Sequence, residues 1–239
     1  MADPAAPALI DLALLDHLAR YDTPTICNAL EVATGGRRAT GFTREQMVSA
    51  FPSLPPIVGF ARTATLRASA PSSMSAAEQR EMRLAYYEYV ASGGVPTIAV
   101  IQDLDDQPGV GAFWGEVNSK VHAGLGLRGA ITNGALRDLD VLSTAFQILA
   151  GKVTPSHAFV RIESIRIRVD IFGMEVTPGD LIHADRHGAV VVPIEAAPRL
   201  PAAIGTVIKR EKLILDAAAR PGFSVADIRK ALSEGDDIH

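Results

Sequence analysis

The chain has little of the residue types that mark several large classes of protein. Cys27 is the one cysteine in 239 residues, which excludes an intrachain disulfide and favours a reducing compartment. No apolar run approaches the roughly 20 residues that a transmembrane helix needs. The amino terminus, Met-Ala-Asp-Pro-Ala-Ala-Pro, lacks the positive region of a signal peptide. We therefore expect a soluble, cytoplasmic protein without a membrane partner.

Clustered positive charge is also missing. The formal net charge is −4, and the longest basic runs are the pairs Arg37-Arg38 and Lys209-Arg210. A nucleic-acid-binding surface needs a basic patch or stripe, so we expect no nucleic-acid partner. What is present is ordinary for a globular protein, with 48% hydrophobic and 21% charged residues and enough length for a substantial core.

Helical and strand-like hydrophobic patterns alternate along the chain, which is typical of an α/β fold. The predicted helices cover about residues 10–20, 24–34, 78–91, 116–123, a stretch starting near 136, 202–219 and a short stretch after 224; the predicted strands cover 59–66, 96–101, 130–132, 159–169 and 188–192. No internal repeat or linker is visible. We therefore expect one α/β domain over residues 1–239, with helical arms at about 1–36 and 200–239.

One compact segment carries most of the chemical information. Gly115-Glu116-Val117-Asn118 is followed by Arg137-Asp138, with twenty residues between Glu116 and Arg137. Residues 115–118 precede an apolar stripe and so predict a helix amino terminus, where free N–H groups bind carboxylates or phosphates. Asn133-Gly134 ends a short strand, which puts Arg137-Asp138 at the following strand-to-helix turn. Ligands of α/β sheets gather at such turns.

These residue types suit a small 2-oxo acid held on a divalent cation. Arg137 offers a planar fork of donors for a carboxylate or enolate oxygen. Asp138 offers the hard oxygen that Mg²⁺ or Mn²⁺ prefers, and Glu116 could order the water molecules of such a cation. The pattern therefore fits retro-aldol cleavage or decarboxylation that releases pyruvate. The simpler interpretation is an exposed Arg137-Asp138 pair at a helix start, with Glu116 and Lys120 as a surface i,i+4 ion pair.

The run from Gly115-Glu116 through Gly126-Leu-Arg-Gly129 to Arg137-Asp138 resembles the signature of the 4-hydroxy-4-methyl-2-oxoglutarate aldolase and RraA-like family. Asp22-Thr23-Pro24 and Pro178-Gly179-Asp180 extend the resemblance over most of the chain. It implies an αββα sandwich of the swivelling β/β/α type. It also implies a homotrimer or homohexamer with the active site between subunits.

The resemblance also implies roles for individual residues. Asp138 would ligate Mg²⁺ or Mn²⁺, Glu116 would hold water bound to the metal, and Arg137 would bind the oxo-acid end of the substrate. The backbone at Gly115, Val117 and Asn118 would bind the pyruvyl carboxylate; the amides are those of Val117 and Asn118. An acid from a neighbouring subunit's carboxyl-terminal helix also takes part in the aldolases, and Glu211 is the candidate for it.

Two departures bear on the substrate rather than on the chemistry. Position 116 is Glu where the aldolases carry Asp, and the segment from about 70 to 113 is longer and differently patterned, with three tyrosines, Tyr86, Tyr87 and Tyr89. Two other functions therefore stay open. The chain could be a non-catalytic regulator that binds a ribonuclease, as some members of the family are, or a metal-dependent lyase for a different substrate.

Several further patterns have simpler structural explanations. Gly124-Leu-Gly126-Leu-Arg-Gly129 follows a predicted helix, whereas a dinucleotide fingerprint follows a strand, so we expect close packing there. A turn before the buried strand at Gly188 explains the polarity of His183-Ala-Asp185-Arg-His187 equally well, so we do not favour a zinc site there. We expect Lys120 to pair with Glu116 rather than form a Schiff base. We expect an inert thiol at Cys27, a loop role for His157, and packing of the three tyrosines at a subunit contact.

Overall fold

The computed structural model describes residues 10–238, which form six α-helices and thirteen β-strands. The helices are α1 Leu12–Leu18, α2 Thr23–Thr34, α3 Ala76–Ala91, α4 Glu116–Gly124, α5 Leu200–Ala218 and α6 Val225–Asp236. The strands are β1 Val48–Ser49, β2 Ile57–Arg67, β3 Thr97–Asp103, β4 Ala112–Trp114, β5 Gly129–Thr132, β6 Ala135–Leu136, β7 Gln147–Ala150, β8 Lys152–Val153, β9 Arg161–Ile165, β10 Val169–Ile171, β11 Met174–Val176, β12 Leu181–Asp185 and β13 Gly188–Val192. Of the predicted terminal arms, residues 1–9 and His239 lie outside the described residues.

The main sheet is mixed, with a parallel centre. Its strand order is β1-β7-β5-β3-β2-β12-β13, and β2–β3, β3–β5 and β5–β7 pair in parallel. The long strand β2 pairs with β12 along its first half and with β9 along its second half, and the pairing with β9 contains a register shift between Thr65 and Leu66. Because one strand has different neighbours along its length, the sheet curls around it.

The two faces of this sheet are covered differently. Alternate residues of β2 point to opposite faces. Val58 faces the core formed with α1, α2 and α5, and Leu66 faces the core formed with α3. Ile57 and Ala61 point to the other face, which the antiparallel hairpin β10–β11 covers. Both faces of β2 and β3 are therefore buried, as the near-continuous apolar runs of these strands predict.

The expectation of an α/β fold is confirmed, and most predicted elements lie within two residues of their predicted ends. The helix starts are well marked, because Asp22 and Ser75 each accept a hydrogen bond from the backbone of the first turn. The capping box of Ser224 and Asp227 is also formed. Within residues 10–238, no helix has both the length and the apolar character needed to cross a bilayer.

The prediction of a helix that starts near residue 136 is wrong. Ala135-Leu136 instead forms β6, in a separate three-stranded parallel sheet with β4 and β8, and only a single 3₁₀ turn, Leu139–Val141, follows. Both residues of β6 are buried, whereas Leu139 and Val141 are exposed. The apolar residues of this stretch thus belong to a two-residue buried strand and a surface turn rather than to one helical stripe.

Two predictions about the middle of the chain also need correction. The single strand predicted over 159–169 is two strands, β9 and β10, separated by a turn in which Arg166 has a left-handed backbone (φ 60°). Tyr86 and Tyr89 are fully buried in the chain's own core, so the prediction that they pack at a subunit contact is wrong. The hydroxyl groups of both tyrosines have their hydrogen-bond partners inside the chain, which the sequence pattern alone could not show.

Two buried histidines have hydrogen-bonded rings, His183 across to the amino-terminal helices and His122 within α4. His183 on β12 accepts a hydrogen bond from the Thr23 hydroxyl through Nδ1 (3.0 Å) and donates from Nε2 to the Tyr21 carbonyl (3.0 Å). His122 on α4 donates from Nδ1 to the Asn118 carbonyl (2.7 Å). Burial lowers the pKa of each histidine to about 4, so both are neutral near pH 7.

These two histidines predict that the fold loses stability in mild acid. Their folded pKa is below the unfolded value near 6.5, so the unfolded chain binds more protons between about pH 4 and pH 6.5. The free energy of unfolding should therefore fall as the pH falls through that range, by up to about 3 kcal/mol for each histidine. Urea denaturation at pH 7.5, 6 and 5 measures this slope.

Matched variants separate the buried histidines from the other titrating groups. His183→Gln should flatten the pH slope of the unfolding free energy, and His157→Gln, which replaces an exposed histidine outside the core, is the matched control. Equal slopes for the wild type and His183→Gln would contradict the assignment.

Candidate active site

The parallel pairing of β4 with β6 brings the two halves of the sequence pattern together. The Arg137 N–H donates to the carbonyl of Trp114 at 2.8 Å. Gly115, the residue after β4, therefore lies beside Arg137 and Asp138, the residues after β6. The acid and the Arg-Asp pair, separated by twenty residues in the chain, thus meet at one end of this small sheet.

Gly115 is required by space rather than by backbone conformation. Its φ is −158°, which any residue adopts. A Cβ at this position, however, would lie 2.6 Å from Asp138 Oδ2 and 3.2 Å from Arg137 Cγ. The missing side chain of Gly115 therefore leaves the room that the Asp138 carboxylate occupies.

The amino terminus of α4 faces the same place. Gly115 is its N-cap residue and has no side chain that could cap the helix. The Glu116 N–H donates to Asp138 Oδ2 at 3.2 Å, while within residues 10–238 the N–H groups of Val117 and Asn118 have no hydrogen-bond partner. Together with the helix dipole, these two free donors form a site suited to an anionic group.

Asp138 is held in an unusual backbone conformation, with φ 58° and ψ 42°. Its Oδ2 atom lies 3.4 Å from Arg137 Nε, and both side chains are about one-third exposed (34% for Arg137, 36% for Asp138). Within the described residues, Oδ1 has neither a hydrogen bond nor an ion pair. One oxygen of this carboxylate is thus fixed by the protein and the other is free.

The predicted site residues line one cavity of about 590 Å³. Those that line it are Gly115, Glu116, Val117, Asn118, Arg137 and Asp138. His157 also lines this cavity, from a loop, as expected for it. The structure adds residues that the sequence pattern did not identify, chiefly Gln79, Arg83 and Tyr87 of α3 and Arg161 of β9.

Asn118 is fixed by contacts with α3 and β4. Its amide nitrogen donates to the Phe113 carbonyl at 2.6 Å, and its Oδ1 accepts from the Tyr87 hydroxyl at 2.9 Å. One position earlier on α3, the Tyr86 hydroxyl donates to Nε2 of His122 at 2.7 Å. Two adjacent tyrosines therefore attach α3 to the first two turns of α4, a role that no local sequence signal indicates.

The surface ion pair of the simpler interpretation is also present. Lys120 Nζ lies 2.5 Å from Glu116 Oε1, and both side chains are about half exposed. Lys120 is therefore engaged in an ion pair at the surface and is not buried as a Schiff-base lysine would be. An exposed i,i+4 pair of this kind stabilises a helix by about 0.3–0.5 kcal/mol, so it leaves the carboxylate of Glu116 available for other contacts.

The remaining candidates lie elsewhere. Glu211 on α5 accepts from Asn28 Nδ2 at 3.2 Å and lines a separate cavity of about 430 Å³.

His183 and Asp185 bond to the amino-terminal helices, and within residues 10–238 no three His, Cys, Asp or Glu side chains are grouped to hold a metal. Burial raises the pKa of Cys27, as an inert thiol requires. Of the glycine motif, only Gly129 packs closely, against the Gln147 carbonyl; an added Cβ at Gly124 or Gly126 would meet nothing within 4 Å, so the expectation of close packing holds for Gly129 alone.

Comparison with known proteins gives one family and several similar structures. The pattern of the RraA-like family, described as Aldolase/RraA, matches residues 23–191. An uncharacterized protein of Methanocaldococcus jannaschii is 28% identical over 122 residues, which are 49% of this chain and 57% of that protein. The chain therefore matches little more than half the length of this relative.

Two crystal structures share the fold over most of their length. A protein from Pseudomonas syringae pv. tomato superimposes with a TM-score of 0.70 and 21% identity, covering 96% of this chain and 97% of the other. RraAS2 of Streptomyces coelicolor, described as an unusual member of the RNase ES inhibitor RraA protein family, gives 0.64 and 22%, covering 88% and 98%. At these identities the likeness concerns the fold.

The contact at Gly115 leads to a test of the site geometry. Gly115→Ala should displace the Asp138 carboxylate, and a Mg²⁺ ion held by this carboxylate, as the sequence pattern leads us to expect, should bind at least about tenfold more weakly, since groups that orient a metal ligand have effects of this size. The crowding should also cost about 1–3 kcal/mol of stability. Isothermal titration calorimetry with Mg²⁺ and thermal melting measure the two effects.

Gly124→Ala is the matched control, because Gly124 ends the same helix and an added Cβ there meets nothing within 4 Å. It should bind Mg²⁺ as the wild type does and melt at the same or a slightly higher temperature. A Gly115→Ala variant that binds Mg²⁺ with wild-type affinity would show that the contact does not position the carboxylate.

Proposed function

We propose that this chain, which belongs to the RraA-like (Aldolase/RraA) family, is a divalent-metal-dependent lyase that cleaves a carbon–carbon bond of a small 2-oxo acid and releases pyruvate. One observation carries the proposal. Asp138 presents a free carboxylate oxygen beside the guanidinium of Arg137 and the uncapped amino terminus of α4, all in one cavity. Such a set of groups fits a chelated 2-oxo acid.

The donor set fits Mg²⁺ or Mn²⁺. Mg²⁺ takes oxygen ligands and keeps several water molecules, so one or two carboxylates from the protein are sufficient. Asp138 would hold the cation through Oδ1, and Glu116 would contribute through water. When bound, the cation would supply Lewis acidity that polarises the keto group of the substrate.

Groups of the chain itself would bind the substrate and stabilise the negative charge that develops on it. The free N–H groups of Val117 and Asn118 would bind the carboxylate of the 2-oxo acid, with the α4 dipole behind them. The guanidinium of Arg137 would bind the keto oxygen, where negative charge develops as the carbon–carbon bond breaks. Because these donors are fixed before the reaction, stabilising that charge requires no reorganisation of the site.

Proton transfer requires one more group in the aldol reaction. Retro-aldol cleavage removes a proton from the 4-hydroxyl group and returns one to the enol of pyruvate, whereas decarboxylation of oxaloacetate requires only the second step. Among the residues that line the cavity the acids are Glu116 and Asp138. We propose that a neighbouring copy in a homotrimer or homohexamer supplies the further acid, for which Glu211 on the exposed part of α5 is the candidate.

A regulatory function is the second proposal to be tested. RraAS2, which shares the fold, is described as a member of a ribonuclease-inhibitor family. In that case the chain would bind a ribonuclease and turn over no 2-oxo acid. The presence of Glu116, Arg137 and Asp138 in one cavity favours the lyase, because inhibition through a surface contact needs none of these groups. A lyase of the same kind acting on another substrate is the third alternative.

The lyase predicts pyruvate release that depends on metal and on Asp138. Protein stripped with a chelator should release no pyruvate from 4-hydroxy-4-methyl-2-oxoglutarate, and none from oxaloacetate above the protein-free rate, and added Mg²⁺ should restore activity above the rate with Mg²⁺ alone. Asp138→Ala should lower kcat/KM by at least about 100-fold, since it removes the group that holds the charge-stabilising cation. A coupled lactate dehydrogenase assay measures the pyruvate.

Asp140→Ala is the control for this variant, because Asp140 lies two residues further on, exposed and outside the cavity. It should retain wild-type activity. Turnover that persists in chelator, or that is equal in Asp138→Ala and Asp140→Ala, would refute the metal-dependent lyase. Tight binding of a ribonuclease without any pyruvate release would favour the regulator instead.

A further inference from the structure

One face of α3, which lies outside the family pattern, lines the cavity, and it carries a positive charge at Arg83 that the proposed function does not use. Gln79, Arg83 and Tyr87 follow each other at intervals of four residues and so lie on one side of the helix, and all three line the cavity. Tyr87 is fixed by its hydrogen bond to Asn118. Arg83 is therefore presented to the cavity by a helix that is attached to the candidate site itself.

Arg83 differs from the other arginines of the cavity in having no acidic partner. Arg137 pairs with Asp138, and Arg161 Nε lies 2.6 Å from Glu163 Oε1. Within the described residues no ion pair forms at Arg83, and its helical neighbours at three and four positions, Gln79, Arg80, Tyr86 and Tyr87, include no acid. The positive charge of Arg83 is thus uncompensated where it meets the cavity.

Arg83 lines the same cavity as the amino terminus of α4 without belonging to it. Tyr87 contacts Asn118, whose N–H is one of the free donors at the amino terminus of α4. Arg83 lies one helical turn from Tyr87, about 6 Å along the axis of α3. A ligand whose first carboxylate is bound at α4 can therefore present a second carboxylate to Arg83 within this cavity.

Arg83 is exposed, whereas Tyr87, one turn further along the helix, is half-buried. Burial raises the pKa of the Tyr87 phenol, and the positive charge of Arg83 acts to lower it. Arg83 thus meets the cavity with an exposed guanidinium that an anion from solvent can reach.

We propose that Arg83 recognises the second carboxylate of the substrate, so that the cavity selects 2-oxo dicarboxylates over 2-oxo monocarboxylates. The inference rests on the proposed function for the position of the first carboxylate. It makes Arg83 a specificity-determining residue that acts on substrate binding rather than on bond cleavage. The planar fork of arginine suits this contact, since it donates two parallel hydrogen bonds to one carboxylate.

Binding of two stable acids of equal chain length tests the inference without requiring turnover. The probes are 2-oxoglutarate and 2-oxopentanoate, which differ in the distal carboxylate, titrated calorimetrically into the full chain loaded with Mg²⁺. Wild-type protein should bind 2-oxoglutarate at least about tenfold more tightly, the size of one charge-assisted contact. Arg83→Gln should lose this preference by weakening 2-oxoglutarate about tenfold, while 2-oxopentanoate stays within about twofold.

Two further variants define the contact. Arg80→Gln removes an exposed arginine from the same helix that does not line this cavity, and it should keep the wild-type preference. Arg83→Lys keeps the charge but not the fork, so it should restore the preference in part. A general loss of structure in Arg83→Gln would weaken both acids alike and would be visible in thermal melting.

The outcomes separate this inference from the lyase. Failure of the wild type to discriminate, equal weakening of both acids by Arg83→Gln, or no binding of either acid would overturn the role of Arg83, whatever the pyruvate assay gives. A preference that is lost in Arg83→Gln but kept in Arg80→Gln supports it, even if no substrate releases pyruvate. In that last case the lyase falls and the dicarboxylate site stands.

Discussion

The candidate site depends on the parallel pairing of two very short strands, β4 and β6. The hydrogen bond from the Arg137 N–H to the Trp114 carbonyl (2.8 Å) sets the register in which the chain leaves both strands side by side. With that register, Gly115 contacts the Asp138 carboxylate, and α4 begins beside it. Trp114 and Leu136 are fully buried, so the apolar core on one side of this pair fixes the polar groups at its end.

The sequence predicted the parts of the fold that local chemistry determines. Helix starts at Asp22 and Ser224 and the buried strand at 188–192 follow from capping groups and from runs of apolar residues, which act within a few positions. The strand order, and the small sheet that contains β6, depend on contacts between distant segments. A two-residue buried strand such as Ala135-Leu136 has too few residues to display a period, so its pattern could not be distinguished from a helix start.

The same distinction applies to the site. The spacing from Glu116 to Arg137-Asp138 was visible in the sequence, and the structure brings these residues into one cavity. The wall formed by α3 was not visible, because Tyr87 reaches Asn118 across 31 positions of sequence and Arg83 belongs to no motif. A lone arginine on a helix is usually a solvated residue, and only the tertiary contacts of its neighbours indicate that it faces the cavity.

Stability alone does not explain the arrangement at Asp138. A left-handed backbone at a non-glycine residue costs on the order of 1 kcal/mol, although aspartate tolerates it better than most residues. The ion pair with Arg137 joins side chains that are about one-third exposed, and pairs of this kind contribute about 0–1 kcal/mol. The two terms roughly cancel, so the pair gives the fold no clear advantage. The conformation does leave Asp138 Oδ1 without a partner and directs the carboxylate to a cavity, which is what a metal ligand requires and a surface ion pair does not.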